Sequence, residues 1–161
     1  MATTYDLTGQ SGAGSAVPIN GTNRRGQVTA TITVPLLGVT NDILQCIPIK
    51  KGQKCHGISM VIVTAGAGTT VALDIGITGG TAAGFDSQVD AKAAAGTVTQ
   101  SVLADTYPAA GGFYATADHT IDILLHTITA MTTAPVVKLI ADIETIVDSV
   151  DYVSPSVVGA S

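Results

Sequence analysis

The chain has 161 residues and a formal net charge of −5 at pH 7, with 46% hydrophobic but only 12% charged residues. Soluble domains carry about 25% charged residues, so the surface is poor in charge, while the apolar content excludes a disordered chain. The length is that of one domain with a sizeable core. An acidic chain without clustered Lys and Arg is not expected to bind nucleic acid.

The basic residues form two short groups, Arg24–Arg25 and Lys50–Lys51 with Lys54, and such groups are typical of solvated loops. Residues 1–26 lack the basic start and apolar stretch of an export signal. No uninterrupted apolar run reaches the ~18 residues that a membrane helix needs. The sequence therefore predicts a protein made in the cytoplasm, with no nucleic-acid partner and no membrane partner.

Residues 1–26 are rich in glycine and small polar residues and show no apolar periodicity. Such a segment cannot offset its ordering entropy by local burial, so we predict an extended N-terminal arm that is either flexible or laid along a partner. A similar small-residue tail opens at Ser154–Pro155. The predicted organisation is an arm at 1–26, a β-sandwich domain at 27–150 and a C-terminal tail at 151–161.

Between the arm and the tail, apolar and polar residues mostly alternate with a period of two, which is typical of half-buried strands. Short β-branched runs are separated by glycine-rich turns, a spacing that favours a sandwich or barrel over alternating strands and helices. The clearest strand is the first. The predicted strands are Gln27–Val34, Asp42–Ile49, Gly57–Thr64, Val71–Ile77, Phe113–Ala115 and Thr120–Leu125.

Two segments allow more than one prediction. Residues 136–147 place apolar side chains at helical spacing, but they also alternate as a strand, and their β-branched content favours the strand. The alanines of Val89–Gly96 favour a short helical turn or a loop.

Two cysteines, Cys46 and Cys55, are too few for a disulfide scaffold or a four-ligand zinc site. A hairpin around Lys51–Gly52 could bring them near each other, either as a bridge or as two reduced, half-buried thiols. The reduced thiols suit a chain made in the cytosol better.

The candidate catalytic residues do not assemble into a site. A Cys46 or Cys55 nucleophile would need His56, His119 or His126 as its base, but Cys55 and His56 are neighbours that point to opposite faces of a strand. No G-x-S-x-G elbow occurs. The sequence therefore predicts that the protein is not an enzyme, and it assigns no catalytic residue.

Binding motifs for phosphate and sugar are also incomplete. Gly12–Gly14 and Gly66–Gly68 each begin a G-x-G-x-x-G pattern, but Val17 and Val71 stand where the last glycine belongs, and no Walker sequence is present. These glycines are predicted to serve turns. The chain has no Trp, which disfavours a lectin.

His119, Asp122 and His126 are the candidate ligands of a metal site. Only Asp122 and His126 share a strand face by parity, and catalytic zinc typically has three protein ligands. Asp86 and Asp90 resemble a calcium loop in composition alone, without the ligand order of an EF-hand, and they are predicted to be solvated turn acids. No metal-binding or cofactor-binding residue, and no cofactor, is predicted.

Within Asp42–Lys54, a predicted strand runs through the segment Ile47-Pro48-Ile49-Lys50-Lys51-Gly52 and leads into a second apolar strand. This stretch resembles small structural proteins of tailed bacteriophages, namely capsid decoration or cement proteins, which bind the outside of a capsid shell and reinforce it. The likeness continues through Val71–Gly76, Gly84–Asp86, Tyr114, Asp118–Ile123 and the strand from Val137.

That resemblance implies a jelly-roll-like antiparallel β-sandwich over roughly residues 27–147, with no catalytic residues to transfer. It implies a place on the outer capsid surface of a virion assembled in the host cytoplasm. The major capsid protein would be the partner, and the sandwich would form a homo-oligomer, with a trimer favoured by analogy. The arm at 1–26 is expected to become ordered on the capsid, where its backbone can add to exposed sheet edges.

Three other roles compete with a decoration protein. A phage tail, fibre or head-fibre component could use the same sandwich and would bind a host receptor. A bacterial surface or pilus-like subunit should carry an export signal, which residues 1–26 do not resemble. A hydrolase should depend on Cys46 or His126.

Overall fold

A computed structural model describes residues 2–8, 24–102 and 105–146. The predicted tail, and residues 9–23 of the predicted arm, lie outside these ranges. The described chain is almost entirely β-structure. Its elements are β1 (Thr4–Asp6), β2 (Arg24–Thr33), β3 (Ile43–Ile49), β4 (Gln53–Thr64), β5 (Thr70–Ile77), β6 (Asp86–Asp90), β7 (Val98–Gln100), α1 (Thr106–Ala109), β8 (Phe113–Tyr114), β9 (His119–Thr129) and β10 (Val136–Thr145).

The strands form two sheets that share one core. Sheet A has the order β1-β3-β9-β5-β6, and sheet B has the order β2-β10-β4-β7, with β8 also beside β4. The antiparallel pairs are nested: β5 pairs with β6, β4 with β7, β3 with β9 and β2 with β10. The two sheets form a sandwich, and the predicted all-β sandwich is confirmed; nested pairs of this kind are also found in jelly rolls.

Alternation along β10 shows how the sequence specifies the core. Val137, Leu139, Ala141 and Ile143 are buried, while the residues between them are less covered and face outward. The strand prediction for this segment is confirmed, and the helical alternative is wrong, because β10 pairs with β2 on one side and β4 on the other. The inward faces of both sheets contribute an aliphatic core with one fully buried aromatic ring, Phe85.

The alanine-rich segment is divided between a strand and turns. Val89 and Asp90 end β6, and residues 91–96 form turns rather than a helix. Ala91 is fully buried, and its backbone N–H donates to Val71 O at 2.9 Å. Tertiary contacts therefore override the helical propensity of the alanines.

The sequence did not predict the single helical turn α1. Its Tyr107 ring lies between Phe85 and Phe113, with both centroid separations 4.9 Å. The Tyr107 hydroxyl also accepts a hydrogen bond from the Thr81 backbone N–H at 2.8 Å. This aromatic anchor holds a run of Pro, Ala and Gly residues against the sandwich.

The two cysteines are free, so the prediction of thiols rather than a bridge is confirmed, but they are fully buried and not half-buried as predicted. The predicted hairpin is wrong as well, because the Lys50–Gly52 turn carries the chain from β3 in sheet A to β4 in sheet B. Cys46 has no register partner on β9, where the pairing shifts between Gln45 and Ile47. This bulge lets Cys46 and Ile47, although adjacent, both be buried.

Part of the predicted arm belongs to the sandwich. Residues Thr4–Asp6 pair in parallel with Ile43–Gln45, and β2 begins at Arg24. For residues 9–23 the arm stays a prediction. Within the described ranges, no helix is long and apolar enough to cross a membrane.

Candidate interaction surfaces and a buried carboxylate

The nested strands bring four loops to one end of the sandwich, which we call the four-loop end. The loops contain two ionisable residues, Asp42 and Lys92. Asp42 is buried, and Lys92 Nζ donates to the Thr69 backbone oxygen at 2.9 Å. This end is therefore almost uncharged, although the chain has a net charge of −5. The loops are residues 34–42, 65–69, 91–97 and 130–135.

The four-loop end also exposes large apolar side chains. In loop 34–42, the exposed fractions of Leu36, Leu37 and Val39 are 50%, 89% and 51%. Val63 and Val98, exposed by 46% and 53%, lie towards the same end of sheet B, where β4 ends and β7 begins. Exposed apolar groups of this size commonly mark protein–protein contacts.

The backbone of loop 34–42 is fixed by hydrogen bonds. The buried Asp42 carboxylate accepts from the backbone N–H groups of Thr3 at 2.6 Å and Val39 at 3.0 Å. The Asn41 N–H donates to Leu125 O at 2.7 Å. The leucines therefore project from an ordered loop, which lowers the entropy cost of forming a contact.

The other end of the sandwich contains the Lys50–Gly52 turn and the described residues that border segments 9–23 and 147–161; we call it the terminal end. The Ile146 N–H donates to Gly52 O at 2.9 Å. Thr8 lines the same surface cleft as Lys50, and Arg24 begins β2 beside the last residue of β10. Segments 9–23 and 147–161 therefore both start from this end.

The two basic groups that the sequence separates converge on the terminal end. Arg25 Nε lies 2.8 Å and 3.0 Å from the two carboxylate oxygens of Asp142, and this hydrogen-bonded guanidinium lowers the pKa of Asp142. Lys50 Nζ lies 2.9 Å from Asp118. Of the chain's 7 Lys and Arg residues, those near this end are Arg24, Arg25, Lys50, Lys51 and Lys54.

The cysteines are poorly placed for nucleophilic chemistry. Burial raises the pKa of the Cys55 thiol to about 12, and burial also raises the pKa of Cys46. Cys55 lies in the core, whereas the neighbouring His56 places Nε2 2.7 Å from Glu144 Oε2 on the outer face of sheet B. Reactive cysteines have a lowered pKa and some exposure, and neither condition holds here.

The candidate metal ligands do not converge on one point: Asp122 and His119 contact Thr78, whereas His126 contacts Asp74. His126 Nδ1 lies 2.8 Å from Asp74 Oδ2, whereas Asp122 Oδ2 accepts from the Thr78 hydroxyl. His119 Nδ1 lies 3.2 Å from the Thr78 backbone oxygen. Within ranges 2–8, 24–102 and 105–146, no three His, Cys, Asp or Glu side chains are grouped as a metal site would require.

Asp86 and Asp90 do not form a shared site either. Asp86 Oδ1 accepts from the Ser87 backbone N–H at 2.8 Å, and Asp90 Oδ1 accepts from the Lys92 backbone N–H at 2.9 Å. They stand at opposite ends of β6 rather than in one turn. Each carboxylate binds the backbone beside it, which is ordinary strand-end and turn chemistry.

Asp122 is the most unusual ionisable residue of the described chain. It is only 5% exposed, and its Oδ1 is buried without a hydrogen-bond partner among the described residues. Burial raises its pKa from 3.8 to about 6, against the opposing hydrogen bonds of Thr78 and Thr120 and the nearby His119. Unsatisfied buried carboxylates are rare. The sequence singled out Asp122 only as a candidate metal ligand in an apolar strand and did not predict its burial without a partner.

A cavity of about 130 Å³ lies beside Asp122, between the outer face of sheet A and the chain that follows β5. The chain crosses closely over Gly76, where a Cβ would collide with the backbone of Thr81 and Ala82. The cavity is therefore a consequence of a glycine in mid-strand, a residue that permits close approach of another backbone.

Asp122→Asn is expected to stabilise the protein above pH 6 and to change little near pH 4. Because the folded pKa of about 6 exceeds the ordinary 3.8, the wild type loses stability as pH rises through this window. The advantage of the variant in unfolding free energy should grow to on the order of 1–3 kcal/mol. Denaturant unfolding at pH 4, 5, 6 and 7.5 measures it.

The matched control is Asp118→Asn, because Asp118 is exposed and its pKa is lowered, first by the Lys51 backbone N–H and then by Lys50. Its carboxylate contributes stability above its ordinary pKa, so this variant should show a small effect of opposite sign. A stabilisation by Asp122→Asn that does not vary with pH would contradict the assignment.

Comparison with known proteins found no matching family model and no matching curated protein. Solved structures do match. A chain in the capsid of Ralstonia phage GP4 aligns with a TM-score of 0.56 and 13% identity, over 83% of this chain and 91% of that one. A chain in the cyanophage Pam1 capsid asymmetric unit aligns with a TM-score of 0.53 and 14% identity, over 88% and 99%. The protein shares its fold with chains of phage capsids.

A further match, at a TM-score of 0.49 and 12% identity, is to the acidic stable capsid structure of the Helicobacter pylori bacteriophage KHP30, over 75% of this chain and 93% of that one. The matches to the GP4 and Pam1 chains show the fold alone, because their identities are 13% and 14%.

Proposed function

We propose that the protein is a structural component of a phage virion, a decoration protein that binds the outer surface of the capsid shell and stabilises it. The observation that carries the proposal is the alignment with the GP4 and Pam1 chains, which covers most of this chain and over nine-tenths of each of theirs. Those counterparts occur within capsids and are of similar size to this protein.

The proposed mechanism is thermodynamic linkage between binding of the protein and stability of the shell. A protein that binds the assembled shell, but not dissociated subunits, stabilises the shell by mass action. It needs contact area rather than a catalytic group, and this accounts for a surface with few charges. The proposed partner is the major capsid protein.

The terminal end is proposed to face the shell, because segments 9–23 and 147–161 both start there. Segment 9–23 has 15 residues and must return to Arg24, so its chain length allows a reach of about 25 Å. Small polar segments of this kind can add backbone hydrogen bonds to exposed sheet edges.

The four-loop end is proposed to join copies of the protein, with a trimer at a local three-fold axis suggested by analogy. Copies of an acidic protein repel one another, but the ionisable side chains at this end are few: Asp42 is buried, and the exposed Asp90 at the end of β6 lies close in the chain to the opposite charge of Lys92. Leu36, Leu37 and Val39 can therefore meet their counterparts without burying like charges.

Cosedimentation with purified shells that lack the protein tests the proposal. The wild type should bind the shells and raise the temperature at which they dissociate. Val17→Ser with Ile19→Ser, which changes the largest aliphatic residues of segment 9–23, should weaken shell binding at least about tenfold, since each buried aliphatic side chain contributes about 1.5–3 kcal/mol.

Light scattering on the double variant provides the control, because its self-association should not change. Failure of the wild type to bind shells would refute the decoration role. Electron micrographs that show the protein on a tail or head fibre would support the alternative role in attachment. Unchanged shell binding by the double variant would refute the contact between segment 9–23 and the shell, but not the decoration role.

A further inference from the structure

We propose that residues 78–84, which we call the strap, are a pH-dependent cover over Asp122. The strap closes on the neutral carboxyl group and opens when that group is ionised. It connects β5 to β6 and crosses over Gly76 on the outer face of sheet A. Opening would uncover more of Ile43 and Leu124, which line the cavity together with residues of the strap. The strap would act in this way whether or not the protein belongs to a virion.

The strap accounts for the burial of Asp122. Asp122 projects from the outer face of β9 together with Leu124 and His126, because alternate side chains of a strand share a face. Those two side chains are partly exposed, whereas Asp122 is only 5% exposed. The register partner of Asp122 is Gly76, and the strap backbone at Thr81 lies directly against this glycine. The strap therefore covers the position at which Asp122 stands.

The closed strap suits a neutral carboxyl group better than a carboxylate. Asp122 Oδ2 contacts the Thr78 hydroxyl, but Oδ1 is buried without a hydrogen-bond partner among the described residues. The strap has no ionisable side chain, so it provides no positive charge. Burial of an ionised group without a full set of donors costs more than burial of its neutral form, and the raised pKa of Asp122 agrees with this. Ionisation therefore favours the open strap, in which water can solvate the carboxylate.

The strap is held closed by a small number of hydrogen bonds. The Thr81 backbone N–H donates to the Tyr107 hydroxyl at 2.8 Å, and the Gly84 N–H donates to the Thr81 oxygen at 3.1 Å. Residues 79–82 are exposed, and a cavity of about 130 Å³ separates part of the strap from the sheet. Segments with few buried contacts open locally at low cost. The strap can therefore open while β5 and β6 stay paired.

The other titratable groups on the elements around Asp122 do not belong to the strap. They are Asp6 on β1, Cys46 on β3, Asp74 on β5, His119 and His126 on β9, and Tyr107 on α1. Cys46 lies in the core with a pKa raised by burial, and Asp74 accepts from the Gln88 N–H. Burial raises the pKa of Asp122, and the charge of His119 opposes this. His119 is therefore the neighbour that a test of pH dependence must control.

Hydrogen exchange of the wild type between pH 4 and pH 6.5, followed by NMR and expressed as protection factors, tests the strap. The amides of Thr81 and Gly84 report closure, because each is hydrogen-bonded in the closed strap. Since the pKa of the covered Asp122 is about 6 and its ordinary value is 3.8, closure is favoured at low pH and is lost as the pH rises. Protection of the two amides should fall by up to about thirtyfold between pH 4 and pH 6. Protection that does not change with pH would overturn the proposal.

Urea separates opening of the strap from global unfolding, which ionised Asp122 also favours. Local opening exposes little surface, so exchange of the Thr81 and Gly84 amides should hardly respond to 1 M urea. The Leu125 amide on β9, which donates to Asp42 O at 2.9 Å, should exchange faster in urea because it reports global unfolding. If the strap amides respond to urea as strongly as Leu125 does, their exchange requires global unfolding and the proposal fails.

Asp122→Asn should abolish the pH dependence of the strap amides, because its side chain has nearly the same shape and does not ionise. The variant is expected to fold, since the site already holds a neutral carboxyl group below a pKa of about 6. His119→Gln is the matched control and should retain the wild-type dependence. A dependence that persists in Asp122→Asn, or one that disappears in His119→Gln, would contradict control of the strap by the Asp122 carboxyl group.

Discussion

Leu37→Asp is expected to convert self-associated protein into monomers. Leu37 is the most exposed large apolar side chain described, at 89%, and it projects from a hydrogen-bonded loop at the four-loop end. In the proposed oligomer the new carboxylate would be buried without a partner and would face its symmetry mates. The cost should be at least about 2 kcal/mol for each contact, or about thirtyfold in affinity.

Light scattering and sedimentation velocity at micromolar concentration measure this change. The melting temperature of the isolated domain should hardly move, since substitutions at such exposed positions usually alter stability by less than about 0.5 kcal/mol. Thr31→Asp, at an exposed position on the outer face of β2, is the matched control and should leave association unchanged. An oligomer that survives Leu37→Asp but not Thr31→Asp would place the contact on sheet B.

Phe85→Ala should produce the largest loss of stability, about 3–5 kcal/mol. The Phe85 ring is completely buried and lies 4.9 Å from the centroid of Tyr107. Truncation removes its transfer free energy, leaves a void and takes away the ring against which α1 packs. Since the free energy of unfolding of a domain is typically about 5–15 kcal/mol, this single change would remove a large part of it.

Urea unfolding of the isolated domain measures the effect, with Tyr114→Ala as the control. Tyr114 is likewise an aromatic residue, in strand β8, but 42% of it is exposed, so its truncation should cost about 1 kcal/mol or less. Similar losses for the two variants would show that the aromatic cluster around Tyr107 does not anchor α1.

The strands that could be predicted from the sequence are those whose burial is visible in the alternation of residues. Residues 27–34 and 136–147 predicted strands because every second side chain is apolar, and the strands β2 and β10 lie there. Strand β6 was missed because it buries only Val89 among five residues. Its edge position is set by pairing with β5, which is not a local property.

The interaction surfaces were harder to predict because they depend on topology. The sequence of loop 34–42 does not differ from that of an ordinary connection between strands. The sequence alone therefore does not show whether its leucines are exposed or belong to the core. Likewise, Arg24 and Lys50 are distant in the chain, and only the folded structure brings them to one end. The burial of an Asp122 oxygen without a hydrogen-bond partner could not be predicted either, because it depends on the position of Thr78 and on the chain that crosses over Gly76.

The nested pairing also determines when each part of the molecule can form during synthesis. Strand β5 has one of its two partners, β6, close behind it in the chain, whereas the single partner of Arg24–Thr33 is Val136–Thr145. At about 5–20 residues per second the ribosome takes roughly 5–20 s to make the intervening chain. During that interval β2 has no partner among the strands of sheet B, because β10, which lies between β2 and β4, is the last of the described strands to be made.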